Sequence, residues 1–418
     1  MSELSLRAQL ASVLGRSAAS LSRATGRGDG SVIGGRVALK VEPELLAKLA
    51  QGRRLALVSA TNGKTTTTRL ISQALREFGD VATNEHGANM PTGHITALAA
   101  NKAAVNGVLE VDEKYLPQVI KATNPAFVVL MNLSRDQMDR ASEINLLAKK
   151  WRTTLSQTNT HVIANADDPL VAWAGLGASS ATWVSAGQRW KEDSWCCPEC
   201  GAHLKREVDP HWECPECGLA RPRATWAVDN DSDTLITPEG QQIKLRLNLP
   251  GDANRSNAAI AAATAAAYGI HPERTVERLR EITSVAGRYT SVVTMGVEVR
   301  LLLAKNPAGW LESFAVLDPP RVPVILAVNA QVSDGKDTSW LWDVDYRVLR
   351  DRRVFIMGER RTDLALRLET DEVPFEVAER VDEVLAKLKA DRPDITKVDV
   401  IANYTAFQQI RTAYGRIQ

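Results

Sequence analysis

The chain has 418 residues, 44% of them hydrophobic and 24% charged, with 51 basic side chains against 50 acidic. That length exceeds one ordinary core, so two domains and an insertion are expected, and the even charge excludes a chain drawn as a whole to nucleic acid or anionic lipid. No apolar run approaches the roughly 18 residues a membrane span needs, and Arg7, Arg16 and Arg23 interrupt any signal-peptide core.

Leu6, Leu10, Val13, Leu14 and Leu21 recur at helical spacing, so residues 1–36 read as an N-terminal helix followed by a glycine-rich linker, Gly26 to Gly35. Such a helix suits packing on the body, and it also suits a membrane surface. From residue 37 the pattern becomes strand, loop, helix. Leu55–Val58, Val105–Val111, Ala126–Met131 and His161–Asn165 read as buried strands, and Thr66–Phe78 as a helix. Alternation of this kind predicts an α/β domain with a doubly wound, mostly parallel sheet over residues 37–286. Ligands of such sheets sit beyond the C-terminal strand ends, where Glu110 and Asn132 fall. An Ala-rich helix, Asn254 to Tyr268, follows. A second strand–helix series, with strands at Val297–Leu303, Val322–Val328, Val354–Met357 and Val398–Ile401, predicts a smaller α/β domain over residues 287–418.

Residues 190–223 break the pattern and hold all five cysteines. Cys197 and Cys200, then Cys214 and Cys217, form two C-x2-C pairs separated by thirteen residues, each pair followed by a glycine (Gly201, Gly218). Two such turns place four thiolates around one ion, so the insertion reads as a structural zinc ribbon in a reducing compartment. Four thiolates close the site, which leaves Cys196, His203 and His211 outside it.

Between the first strand and its helix lies Ala60-Thr61-Asn62-Gly63-Lys64-Thr65-Thr66. Backbone N–H groups at a helix N-terminus cradle phosphate, a lysine neutralises the β/γ oxygens, and a threonine hydroxyl reaches Mg2+. The general motif wants a glycine where Val58 stands, so this is a short variant. A chance Gly-Lys-Thr in a turn would lack the flanking strand and helix. The loop reads as an ATP site.

The segment Thr61–Thr66 resembles the ATP loop of the Mur ligases and folylpolyglutamate synthases, and further matches follow in that superfamily's order. Glu110 resembles its magnesium-holding acid. Asn132 through Asp139 resembles the Asn…Asp-His-Leu-Asp segment. Asn254 and Asn257 resemble the Asn-x-x-Asn element near adenine, and Gly287-Arg288 the Gly-Arg that approaches the phosphates. The resemblance implies a Mur-ligase central P-loop domain and ligase chemistry: ATP phosphorylates a carboxylate, and an amine attacks the acyl phosphate. Lys149 or Lys150 would stand where the superfamily often carries a carbamylated lysine, with Lys150 the better fit to the Lys-Trp context.

The departures are informative. Gln137 replaces the superfamily's histidine, Leu303-Ala304-Lys305-Asn306-Pro307-Ala308-Gly309 replaces Asp-Tyr-Ala-His-Asn-Pro, and only about fifty residues precede the first strand, too few for a nucleotide-sugar domain. Lys305–Gly309, Asp334–Asp343 and the four-cysteine insertion resemble the MurT family, the Mur-ligase-like subunits of lipid II isoglutaminyl synthases. This implies amidation of the α-carboxylate of D-glutamate in the lipid II stem peptide. Ammonia would come from a GatD-type glutamine amidotransferase subunit, at the cytoplasmic face of the membrane. With no cysteine outside the insertion, the chain lacks a glutaminase nucleophile of its own. In that family a C-terminal-domain aspartate is thought to complete the partner's Cys-His pair. Asp334, Asp337 and Asp343 are candidates, and Asp343 is preferred. A stand-alone amino-acid-adding ligase should carry the two missing histidines. A zinc-ribbon nucleic-acid binder should show a basic face, yet Lys191 to Arg223 mixes both signs.

Overall fold

Short apolar strands joined by helices pair in parallel because each crossover helix covers one sheet face. The computed structural model describes residues 5–24, 31–84, 88–136, 143–206, 210–283 and 289–415. The chain divides into two compact units, Met1–Ser134 with Ser142–Thr283, and Arg135–Ala141 with Ser284–Gln418.

The sheet of the first unit is built on β1 (Arg54–Ser59), β2 (Val81–Thr83), β3 (Asn106–Glu110), β4 (Phe127–Leu130), β5 (His161–Asn165) and β6 (Ala181–Ser185). β7 (Trp226–Asp229), β8 (Thr234–Ile236) and β9 (Gln242–Lys244) extend it. The order is β2-β3-β1-β4-β5-β6-β7-β8-β9, parallel as far as β7, with β8 and then the edge strand β9 added antiparallel. Register pairs Val58 with Glu110 and Ser59 with Leu130, so the C-terminal ends of β1, β3 and β4 lie side by side. β1, β3 and β4 are almost wholly buried, which explains their continuous apolar runs.

The helices α1 (Leu6–Ala24) and α2 (Ser31–Val41) precede α3 (Leu45–Ala50) and α4 (Lys64–Leu75), and α5 (Pro91–Ala100) follows β2. The end of the glycine-rich stretch corrects the linker expectation there, because Gly34 and Gly35 lie inside α2, while residues 25–30 lie outside the described residues. Their small size serves close packing. A Cβ on Gly35 would stand 2.2 Å from the Thr92 carbonyl oxygen, and one on Gly15 of α1 would stand 2.8 Å from that of Gly34. Composition alone cannot tell such a glycine pair from a flexible one.

α6 (Leu116–Thr123), α7 (Ile144–Leu155) and α8 (Pro169–Gly175) complete the crossovers, and α9 (Asp252–Tyr268) and α10 (Pro272–Arg280) close the unit. The second unit has a sheet of order β10 (Tyr289–Thr294), β11 (Val297–Leu303), β15 (Lys397–Ala402), β12 (Val324–Ala327), β13 (Val354–Met357), β14 (Phe375–Val377). Only β10 runs antiparallel to its neighbour. Helices α11 (Pro307–Ala315), α12 (Arg361–Thr370), α13 (Val381–Asp391) and α14 (Tyr404–Tyr414) cover its faces. Among the described residues no helix is long and apolar enough to cross a membrane.

Candidate phosphate-binding site and cysteine cluster

β1 ends at Ser59, and α4 begins five residues later. Gly63 caps α4 with φ 83°, a left-handed conformation that favours glycine. Space demands glycine there as well: a Cβ would lie 2.7 Å from Asn257 Oδ1 and 2.9 Å from Met131 Cε. The turn leaves the first N–H groups of α4 pointing outward, where an anion is favoured.

The loop is held by its neighbour strand. Asn132, just past β4, accepts from the Asn62 N–H at 2.9 Å and donates to the Asn62 carbonyl at 3.0 Å. The Ser134 N–H donates to Thr61 Oγ1 at 2.9 Å, and Thr61 Oγ1 donates to the Ser134 carbonyl at 3.1 Å. Asp168 then anchors Leu133 by accepting its N–H at 3.0 Å while capping α8 through Leu170 and Val171. Burial pushes the Asp168 carboxyl up to about 6 against the pull of these N–H donors.

Lys64 is buried at 3% exposure, and its ammonium donates to the Ala60 and Thr61 carbonyls and to Glu113 Oε2 at 3.0 Å. Sequence reasoning does not reach Glu113, because nothing in its spacing from Glu110 marks it. An acyl- or nucleotide-phosphate oxygen would compete with this carboxylate for the same ammonium. Trp151 steadies the Glu113 backbone by donating to its carbonyl at 2.9 Å.

Glu110 ends β3 at 2% exposure, and its Oε2 has no hydrogen-bond partner. Its backbone is clamped: Asn84 accepts from the Glu110 N–H and donates to its carbonyl, both at 2.8 Å, and His94 Nε2 meets the same carbonyl at 2.8 Å. A buried carboxylate oxygen left unpaired is costly, and a divalent cation would satisfy it. Burial pushes the His94 imidazole down to about 4, so it stands neutral. Asn84 and His94 come from β2's exit and α5, and no local pattern flags them.

Asn257, in the second turn of α9, reaches the loop at Gly63, as does Met131. Asn254 donates to the Pro250 carbonyl at 2.7 Å. Thr65 and Thr66 occupy the first turn of α4, with Thr66 buried. Gln137, Asp139, Gly287 and Arg288 lie outside the described residues. Lys149 and Lys150 are exposed on α7.

In the insertion, Gly201 (φ 81°) and Gly218 (φ 73°) let each knuckle curl. The sulfurs of Cys197, Cys200, Cys214 and Cys217 all lie within 4.8 Å of one another, a set able to hold a metal ion. The N–H groups of Cys217 and Glu216 aim at the Cys214 sulfur and bring that thiol down to about 7. The insertion is docked on the corner after β5: Trp212 donates to the Ala166 carbonyl at 3.1 Å, Trp173 to Glu199 at 2.6 Å, and Arg221 to Asp167 at 2.7 Å.

In the second unit, Asp334 accepts from the Gln331 N–H at 3.1 Å and the Thr405 N–H at 2.8 Å and also bonds the Thr405 hydroxyl, and Asp337 accepts from the Ser339 N–H at 2.8 Å. Asp343 is exposed beside Trp342 and pairs with Arg135 at 3.2 Å. Lys305 pairs with Asp136, and Asn306 caps α11 through the Gly309 N–H at 2.9 Å.

The Mur ligase middle domain model matches residues 58–265, and the MurT ligase C-terminal model matches residues 303–407. The chain is 31% identical over 416 residues to the lipid II isoglutaminyl synthase (glutamine-hydrolyzing) subunit MurT of Staphylococcus aureus strain COL, covering 94% of each. It is 30% identical over 442 residues to the same subunit of Streptococcus pneumoniae R6, covering 98% of this chain and 97% of that one. MurF ligase from Thermotoga maritima, solved with ADP, shares the fold at TM-score 0.62 and 14% identity, over 90% of this chain and 83% of that one. With both family models matched and relatives 30–31% identical along nearly the whole chain, the protein belongs to the MurT family of Mur-ligase-like subunits.

Proposed function

We propose that this chain is the ATP-using subunit of a glutamine-hydrolysing lipid II isoglutaminyl synthase. It converts the α-carboxylate of D-glutamate in the stem peptide to the amide of D-isoglutamine. The observation that carries the reading is similarity along nearly the whole chain to two subunits of that name. The chemistry runs in two balanced steps. A carboxylate oxygen takes the γ-phosphoryl group and ADP leaves; ammonia nitrogen then attacks the acyl carbon, loses a proton, and phosphate leaves with the C–O bonding pair.

Within this reading Lys64 moves from Glu113 to the phosphates and offsets charge on the transferring group. Thr61, Asn62, Gly63, Thr65 and Thr66 line the phosphate side, Asn254 and Asn257 the nucleotide, and Arg288 the phosphates. Glu110 and Thr65 would hold Mg2+, which supplies charge neutralisation across the β/γ oxygens. The four cysteines would hold zinc in a structural role. Tetrahedral Zn–S bonds of about 2.3 Å set sulfurs about 3.8 Å apart, and the Cys197–Cys217 and Cys200–Cys214 pairs stand at 3.6 and 3.5 Å.

Ammonia would come from a GatD-type glutaminase subunit. Among the three aspartates, Asp334 and Asp337 are engaged within their own loop and with Thr405, whereas Asp343 follows an exposed tryptophan and meets Arg135 in a partly exposed ion pair. Asp343 is therefore the proposed partner of that subunit's Cys-His pair, orienting the histidine and stabilising its charged form. A lipid-linked substrate places the work at the cytoplasmic face of the membrane.

The test is to co-purify the chain with a candidate glutaminase and supply ATP, Mg2+, glutamine and lipid II. Mass spectrometry should show a hydroxyl replaced by an amide nitrogen. Ligation of free glutamate without amidation would instead establish a stand-alone, folylpolyglutamate-synthase-like ligase. Asp343→Asn should abolish glutamine-driven turnover and spare ammonia-driven turnover, and equal loss of both would remove its assigned role.

A further inference from the structure

A surface helix ordinarily turns its large apolar side chains inward and its small or polar ones to water. α1 does the reverse. Ala8, Ala11, Ser12 and Gly15 are buried, and Gly15 meets the backbone of α2. Leu6 (86% exposed), Leu10, Val13, Leu14 and Leu21 (66%) form one outward stripe, and Ile33 of α2 is exposed too. Five aliphatic side chains on one helix face are costly to hydrate, so such a stripe marks a contact surface.

The charges around it indicate what covers it. From Leu4 to Gly28 the sequence holds four arginines and no carboxylate. The helical repeat sets Arg7 at one border of the stripe and Arg16 on the opposite flank. Arg7 is steadied by the Val41 carbonyl at 2.6 Å and Arg16 by the Ala99 carbonyl at 3.4 Å. Arg36 and Lys40 on α2 are exposed as well. A second copy of the chain laid on this stripe would bring arginines against arginines, with no carboxylate in α1 or α2 to pair them. An anionic lipid surface offers both what the leucines need and what the arginines need.

We propose that α1 is an interfacial helix that seats its Leu6–Leu10–Val13–Leu14–Leu21 stripe in an anionic bilayer. The choice of lipid as occupant rests on the reading above of a lipid-borne substrate.

The experiment uses the full chain in complex with its glutaminase and vesicles of phosphatidylglycerol and phosphatidylcholine lacking any lipid-linked substrate. Wild type should co-sediment with the anionic vesicles and bind pure phosphatidylcholine weakly. Leu10→Gln with Leu14→Gln should weaken binding by roughly tenfold or more, with thermal stability unchanged because both side chains are exposed. Leu6→Gln with Leu21→Gln gives a second, independent pair should the first fail to fold. No binding by wild type, or equal binding by both variants, overturns the proposal. So does a concentration-dependent dimer, or capture of the glutaminase, that the substitutions break in place of vesicle binding. Amidation of detergent-solubilised lipid II is read in parallel and should be equal in all forms. Vesicle binding without amidation removes the functional reading and keeps the docking face; amidation without vesicle binding does the opposite.

Discussion

The phosphate loop and the cysteine insertion solve one problem with two kinds of glycine. Both curl the backbone so that N–H groups face a negative centre, sulfur in the insertion and, on the proposed reading, phosphate at the loop. Gly63, Gly201 and Gly218 share a left-handed φ of 83°, 81° and 73°. Gly63 is also crowded by Asn257 and Met131, whereas a Cβ on Gly201 or Gly218 meets nothing within 4 Å. The loop's shape is therefore imposed by a wall of neighbours, and the knuckles' shape by local geometry and the ion they would hold. The two regions also meet. Adjacent residues after β5 serve one each: Asp167 binds Arg221 of the insertion, and Asp168 binds Leu133 beside the loop.

The largest expected effect is on the insertion. A structural thiolate site contributes roughly 10–16 kcal/mol of apparent binding free energy in small domains, so chelation or Cys214→Ser should unfold residues 190–223. Elemental mass spectrometry should show loss of the ion, and limited proteolysis should then cut inside the insertion. If the loop depends only on its own wall, nucleotide affinity measured by calorimetry stays unchanged. A drop in affinity would break the comparison and assign a coupling through Asp167 and Asp168.

Next is Lys64→Ala, expected to lower turnover by roughly a hundredfold or more, as loss of one charge-stabilising group does. Metal content should not move, whereas the melting temperature should fall, because Glu113 and two carbonyls lose a buried partner. Retained turnover would show that the ammonium, bonded to Glu113 and two carbonyls in this structure, stays there during the reaction.

How far these sites could be read from sequence differs for a physical reason. The cysteine knuckles, β1 with its loop and α4, and the acidic end of β3 are written in local patterns: spacing, period and turn residues. The surroundings of Lys64 and Glu110 are not. Glu113, Asn84 and His94 reach the site through tertiary packing, and an asparagine after a strand or a histidine in a helix looks like any other. Gly34 and Gly35 show the same limit from the other side, since only their contact with α1 and Thr92 separates a packing glycine from a linker glycine. The short strands β8 and β9, three residues each, carry too little periodicity to register.

A smaller effect tests the surroundings of Glu110 by pH. His94 is held neutral by burial, with its pKa pushed down to about 4 from an ordinary 6.5. The unfolded chain binds a proton that the folded chain refuses between those values, so this residue makes stability fall as pH drops from 6.5 to 4. The full difference is about 3 kcal/mol. Asp168 acts with the opposite slope, because its raised pKa favours the folded state on the acid side of about 6. Melting temperatures of wild type and His94→Gln across this range isolate the first slope by difference. Parallel curves would mean that His94 takes up its proton without penalty.

The smallest effect separates the two kinds of glycine. Gly201→Ala forces alanine into the left-handed region, which costs about 1–2 kcal/mol, and it meets no steric obstacle. The variant should keep its metal and show only a slightly earlier release on titration with a chelator. Gly63→Ala carries the same backbone cost plus displacement of Asn257, so it should weaken nucleotide binding well beyond what backbone strain alone explains. Pairing it with Asn257→Ala makes the distinction quantitative. If crowding is the extra term, the double variant costs less than the sum of the two single ones. Additive losses would leave Gly63 with backbone strain alone, the same reason that holds at Gly201.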